Sequence, residues 1–274
     1  MEIAALQLDP ISRLSKDVRK SAELLEQNEI RYLVDMFYTV QNYRIRGGNQ
    51  VRAMGDSGEP HALIKWSSDT FNTFESQIQG AMRVYARSRL PGRWLLSIHG
   101  IGPIIAAGLL AHIDIEQAPT VGHIWNFAGL NPEITWEKGH VRPWNARLKV
   151  LCWKASGSFV KQRASDKDFY GKHYEVRKAF EVERNESGGN AETARLVVEA
   201  SRIKKPEILK HYRAGKLAPG HIESRARRWT VKLFLSHLHH VLYHDRFGMD
   251  PPKPFSQAIL KHGHYIAPPN WPME

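Results

Sequence analysis

The stretch that decides the fold reads Leu95-Leu96-Ser97-Ile98-His99-Gly100-Ile101-Gly102-Pro103-Ile104-Ile105-Ala106-Ala107-Gly108-Leu109-Leu110. Apolar residues lead into Gly-Ile-Gly, and Pro103 follows where the first turn of a helix accepts it, because the N–H that proline lacks has no partner there in any case. Two glycines around one apolar residue permit a turn tight enough to join two short helices. Such a turn leaves amides uncovered at the start of the second helix. With the positive end of the helix dipole in the same place, an anion such as a phosphate fits, and neither Gly100 nor Gly102 has a side chain to hold it off. Ile101 is expected to plug the turn from inside.

Outward from this turn the chain reads as helices. Upstream, Asp9-Pro10 opens a pattern in which Leu14, Val18, Ala22, Leu25, Tyr32, Leu33, Met36, Phe37, Val40 and Tyr43 recur at helical spacing. That predicts one long helix, or two with a break near Asn28. Gly47-Gly48 and the run from Gly55 to Pro60 read as a loop, after which Phe71, Phe74, Ile78, Met82 and Tyr85 predict a second helix returning antiparallel to the first. Downstream, the segments 143–161, 166–184, 190–204 and 222–247 are helical in pattern, with Gly188-Gly189 and Gly215 to Gly220 as connections. The tail from Met249 is rich in proline and predicts an extended arm. No alternating strand series is present, so the fold class is all-α. We divide it into an N-terminal helical arm (1–90), the hairpin region (91–161), a basic helical region (162–248) and the tail (249–274).

The chain has 274 residues, 39 Lys and Arg against 28 Asp and Glu, and a net charge of +11. The apolar content of 42% excludes general disorder, and the single cysteine, Cys152, excludes a disulfide framework or a cysteine-based zinc site. Apolar runs are far shorter than the roughly 20 residues needed to span a bilayer, so a soluble cytoplasmic protein without membrane association is expected. The positive charge is uneven. Residues 151–248 carry 20 basic and 11 acidic side chains, whereas 1–90 carry 12 and 11. Within the basic block, Arg202, Lys204, Lys205 and Lys210, then Arg225, Arg227, Arg228 and Lys232, recur at helical spacing, the arrangement that lines a phosphate-tracking face.

The apolar-Gly-apolar-Gly stretch resembles the helix-hairpin-helix motif of DNA-binding proteins. The likeness continues through Ala111-His112-Ile113-Asp114-Ile115, Pro119-Thr120-Val121-Gly122-His123, Phe127-Ala128-Gly129-Leu130-Asn131-Pro132 and Trp144-Asn145-Ala146-Arg147-Leu148-Lys149. Together these resemble the C-terminal half of the bridge-RNA-guided, DEDD-class insertion-sequence transposases, the IS-one-ten family, over about Leu95 to Lys161. The resemblance implies DNA as partner, with structured RNA as the alternative, and a role in DNA transposition or recombination. That family also has an N-terminal RNase-H-like domain whose acidic residues hold Mg²⁺, and a nucleophilic serine after its Gly-Leu-x-Pro loop. Here the first ninety residues read as helices without a strand-borne acid, and the segment 133–140 contains Thr135 but no serine. No cofactor is therefore expected unless a nuclease or strand-transfer activity brings Mg²⁺, and autonomous strand transfer is not expected.

The nucleic-acid-binding candidates are Gly100, Ile101, Gly102, Arg142, Arg147, Lys149, Arg225, Arg228 and Lys232. Thr135, and after it Ser156 or Ser158, are the hydroxyls that offer a nucleophile, against the ordinary reading of hydroxyls that bond locally. Trp136 and Trp144 read either as loop packing or as a platform for an unpaired base. On the last helix His237, His240 and His244 share one side. They offer a metal site in the alternative reading of a metal-dependent nuclease or hydrolase, and satisfied core histidines in the plainer one. A third reading is a helical partner-binding protein using the N-terminal arm, which also suits a homodimer.

Overall fold

The computed structural model describes residues 12–55, 62–200, 203–252 and 265–273. Among these residues there are eleven α-helices, one short 3-10 helix and no strand, the all-α class that the sequence predicts. The chain forms two compact units: residues 1–96 with 102–114, and residues 97–101 with 115–274.

The first unit begins with α1 (Lys16–Lys20), capped by the Ser15 hydroxyl, and a 3-10 turn at Ser21–Leu24. Leu25 is extended, which places the expected break three residues before Asn28 and starts α2 (Gln27–Gly55) afresh. The carboxylate of Glu29 accepts from the Glu26 amide at 2.8 Å, pairing a donor that the new helix start leaves open. Residues 1–11, including Asp9-Pro10, lie outside the described residues.

Helix α3 (Ala62–Arg87) runs antiparallel to α2. The rings of Tyr43 and Phe71 stack at 5.6 Å, and Glu75 accepts from both Gln41 and Arg44. This packing corrects the reading of Gly47-Gly48 as a loop. Both glycines lie inside α2, where each costs about 1 kcal/mol against alanine, and the paired helix surfaces offset that cost. Of the predicted loop from Gly55 to Pro60, residues 56–60 lie outside the described residues.

Helix α4 (Leu90–Ser97) follows a turn so close that a Cβ on Gly92 would sit 1.9 Å from the Ala86 carbonyl oxygen. The obstacle is backbone and cannot swing aside. Gly92→Ala is expected to cost about 1–3 kcal/mol through overpacking, measured as a lower denaturation midpoint. Helix α5 (Pro103–His112) packs on α2 and α3 with every residue from Ala106 to His112 buried. Its small residues Ala106, Ala107 and Gly108 allow that depth. At its C-terminal end the Gln27 amide reaches the carbonyls of Leu110 and Ile113 at 3.4 Å, and Arg31 donates to Ala111, a cation where the helix dipole favours one.

The second unit holds α6 (Val121–Phe127), α7 (Ala146–Gln162), α8 (Tyr170–Glu186), α9 (Ala191–Glu199), α10 (Pro206–Arg213) and α11 (Pro219–Phe247). Helix α11 is the spine, packed on α6, α7 and α8. Phe159, Tyr170 and Phe234 form its aromatic centre, with ring centroids 4.8–5.2 Å apart. The helix expected over 190–204 stops at Glu199, and α10 begins at Pro206, a separate element the sequence reading did not contain. Arg202 lies outside the described residues. Ala194, Tyr212, Leu217, Ala218 and Ile222 give α9 and α10 a small core against the start of α11. The buried Asn185 amide bonds both ways with Leu217, accepting from its N–H at 2.7 Å and donating to its carbonyl at 3.3 Å. Gly248, left-handed at φ +67°, ends α11.

The tail residues 265–273 carry no helix, and those between Pro252 and Tyr265 lie outside the described residues. Asn270 donates to the carbonyl and hydroxyl oxygens of Ser97 at 3.1 Å, and the Trp271 ring meets His240 and His244 edge-on. No helix among the described residues is long and apolar enough to cross a membrane.

Candidate nucleic-acid interface

The Gly-Ile-Gly turn has the geometry its sequence requires. Gly100 sits at φ +90°, a conformation L side chains rarely adopt, and the Ile101 N–H closes the turn onto the Ile98 carbonyl at 3.0 Å. Ile101 is 5% exposed, so it fills the turn from within. Gly102 caps α5 with Pro103 at its first position, and the first amide to find an internal partner is that of Ala106, which bonds to Gly102. The amides of Ile104 and Ile105 have no acceptor among the described residues. Above Gly102 the space is open, since an added Cβ there meets nothing within 4 Å.

Helix α7 supports this turn in a way the sequence reading missed. The Ser158 hydroxyl donates to the Gly100 carbonyl at 2.6 Å, and the His99 Nε2–H is bonded to Gln162 at 3.1 Å. The spacing of Ser158 and Gln162, one helical turn apart, was the available signal.

A second constellation gathers around Gly129. At φ +63°, this glycine lets the chain turn so tightly that an added Cβ would lie 2.8 Å from the Trp144 ring and 3.1 Å from the Lys149 stem. Asn145 then caps α7, its Oδ1 accepting from the Leu148 N–H at 2.9 Å. Lys149 rests its ammonium over the Trp144 ring at 4.2 Å. Lys232, on α11, does the same over Trp125 at 4.7 Å, and the Trp125 indole N–H donates to the Lys232 carbonyl at 3.1 Å. Arg142 lies 5.0 Å from the ring of Trp136, whose indole N–H is bonded to His140. Indole faces thus hold these cations in place while leaving their outer hydrogens free.

The basic candidates separate into two groups. Arg225 donates through Nε to the buried Glu181 at 2.8 Å, and Glu181 also takes Arg177. Lys149, Arg228 and Lys232 have no carboxylate at ion-pair distance among the described residues. Burial lowers the pKa of all three. Arg228 lowers those of Lys149 and Lys232 further, Arg142 adds to the effect on Lys149, and Arg225 to that on Arg228; Glu133 opposes the shift at Lys232. Arg147 is exposed on the first turn of α7.

Of the hydroxyls considered, Ser156 is 2% exposed and donates to the Trp153 carbonyl at 2.7 Å, while Thr135 is exposed in the loop before α7. The histidine stripe divides. His237 is buried, its Nδ1 bonded to the Tyr170 hydroxyl and its Nε2 to the Ile266 carbonyl, each at 2.8 Å. His240 lies 3.4 Å from Asp250, and His244 stands against Trp271. Among the described residues no three His, Cys, Asp or Glu side chains gather to hold an ion. The Mg²⁺ ions that the family resemblance implies have no fitting donor set among the described residues.

Residues 92–166 match the family described as Transposase IS116/IS110/IS902 family. The matched stretch contains most of α4, the hairpin turn, α5, α6, the Gly129 turn and all of α7, and it relates this part of the chain to transposases. The match supports a transposase-like function for this stretch. Comparison with curated proteins and with solved structures gives no match.

Proposed function

We propose that the protein is a transposase-like nucleic-acid-binding protein that grips the sugar-phosphate backbone of DNA at the Gly100–Gly102 turn, without autonomous strand-transfer chemistry. The observation that carries this reading is the pair of unpartnered amides at Ile104 and Ile105, at the positive end of α5 and under open space, within the stretch that matches transposases. Arg142, Arg147, Lys149, Arg228 and Lys232 add charge that follows a backbone; Arg225, held by Glu181, serves this face as scaffold. Backbone contacts of this kind carry no base information, so weak sequence preference is expected. The absence of strand-transfer chemistry is inferred from the segment 133–140, which holds Thr135 but no serine, and from Ser156, whose hydroxyl bonds to the Trp153 carbonyl.

Gly102 is the clean probe. At φ −95° with free space around it, it accepts a side chain without strain, whereas Gly100 at φ +90° beside Ser158 does not. Gly102→Val should leave the circular dichroism unchanged and lower stability only by the loss of a glycine N-cap, about 1 kcal/mol. It should weaken binding to a duplex oligonucleotide by at least about tenfold, the loss of roughly 1.4 kcal/mol of contact. Undiminished affinity in a folded variant removes the hairpin from the interface. Strand cleavage and joining assays with Mg²⁺ are expected to show no product from the wild type alone.

A further inference from the structure

Most cations packed against α11 are matched to carboxylates: Arg225 to Glu181, Arg227 to Glu223, and Arg246 to Glu116. Lys149, Arg228 and Lys232 differ. They come from two helices that pack together, α7 and α11; Arg228 is within electrostatic reach of both lysines, Glu133 partly offsets it at Lys232, and none of the three has an ion-paired carboxylate among the described residues. Their placement is built rather than incidental. Gly129 gives way to Trp144 and the Lys149 stem, Trp144 carries the Lys149 ammonium, and Trp125 both carries the Lys232 ammonium and bonds to its backbone.

Like charges gathered where Arg228 and Lys232 are half-buried and Lys149 is exposed repel one another, and that repulsion costs stability while no anion is bound. Helix α7 adds to the effect by directing its positive N-terminal end toward the same neighbourhood, with Lys149 on its first turn. A single compact anion with several acceptor oxygens satisfies all of these groups at once. Phosphate has that form.

We propose that Lys149, Arg228 and Lys232 form a phosphate clamp that receives one phosphate group of a nucleic-acid strand. The inference rests on the nucleic-acid reading above and deepens it by naming a second holding point that does not depend on the hairpin amides. The phosphate has two sources with the same chemistry: an internal phosphodiester, or a terminal phosphomonoester at a strand end.

The test uses the full chain and the single variants Lys149→Gln, Arg228→Gln and Lys232→Gln, with Arg228→Lys as the conservative control. Without ligand, the three neutralised variants are expected to melt at the wild-type temperature or above it, because each removes repulsion. A fall in melting temperature in all three assigns these side chains to the scaffold and overturns the clamp. Inorganic phosphate in the millimolar range should raise the wild-type melting temperature and leave the neutralised variants unmoved, with Arg228→Lys partly responsive; equal stabilisation of all proteins overturns the proposal.

With duplex oligonucleotides, each variant should lose affinity and lower the dependence on log salt by about one unit. Oligonucleotides with 5′-phosphate and 5′-hydroxyl ends separate the sources. A loss seen only with the phosphorylated end identifies the monoester, and an equal loss identifies the backbone. If Gly102→Val binds DNA normally while the clamp variants do not, the hairpin reading fails and the clamp stands. If the clamp variants bind DNA normally with an unchanged salt slope, the clamp fails whatever the hairpin does.

Discussion

Replacing Glu181 by alanine is expected to cost about 3–5 kcal/mol, the penalty for removing one member of a buried ion pair. The Glu181 side chain is 1% exposed and sits between two guanidinium groups, Arg177 from its own helix and Arg225 from α11. Burial pushes its carboxyl up, but Arg225 and Arg177 together outweigh that and hold it below the usual range, so it is charged in the folded protein. Without it the two cations face each other across the α8–α11 contact with no counter-charge. The loss should appear as a lower urea midpoint with an unchanged dependence on urea concentration. Glu181→Gln, which keeps acceptor and shape, should lose less, and the double change Glu181→Leu with Arg225→Met should recover part of the loss. A cost under 1 kcal/mol for the alanine variant means that water, and not Glu181, satisfies Arg225.

Acid should weaken the same unit from an unusually high pH. The Ile266 carbonyl can only accept, so His237 carries its hydrogen on Nε2 and accepts a hydrogen bond from the Tyr170 hydroxyl at Nδ1. Burial in this neutral form pushes its pKa down from 6.5 to about 4. Between those values the unfolded chain binds the proton that the folded one refuses. Stability is therefore complete above pH 6.5 and falls as pH drops toward 4, by about 2 kcal/mol at pH 5 and about 3 kcal/mol at the end of the window. His239 and His240, also lowered by burial, act in the same direction. Urea unfolding at pH 7 and pH 5 checks this, and His237→Gln should flatten most of the slope. Equal stability of the wild type at both pH values contradicts the assignment. Glu223 does not confuse the result: burial raises its carboxyl, Tyr174, Lys178 and Arg227 outweigh that and hold it at about 2, and its contribution is lost only below pH 4.5.

What could be read in advance was what depends on local chain geometry. Gly100, Ile101, Gly102 and Pro103 define a turn through backbone freedom and the order of apolar residues, and the structure has that turn. The antiparallel arm was legible in the apolar spacing of Met36 to Tyr43 and Phe71 to Tyr85. Gly47-Gly48 misled because local propensity is weak beside packing: the helix surface paired through Tyr43 and Phe71 carries the chain past two poor helix formers. Helix α10 was missed because Pro206 was not weighed as a helix start. The basic residues illustrate a deeper limit. Arg225, Arg228 and Lys232 look alike on a helical wheel, yet Arg225 meets a carboxylate supplied 44 positions earlier while Lys232 rests on an indole and Arg228 has no ion-paired carboxylate among the described residues. Only three-dimensional pairing separates them. Ser158 reaches Gly100 across 58 positions: its one-turn spacing from Gln162 marks a shared helix face, but only the fold shows what that face meets.

The lysines resting on Trp125 and Trp144 give the molecule a built-in optical reporter. Indole emission responds to a cation held against the ring, so any event that draws the two ammonium groups away will alter the colour and yield of the light these residues emit. Occupancy can then be followed on the unlabelled chain, and replacing either indole by phenylalanine tells which lysine has moved.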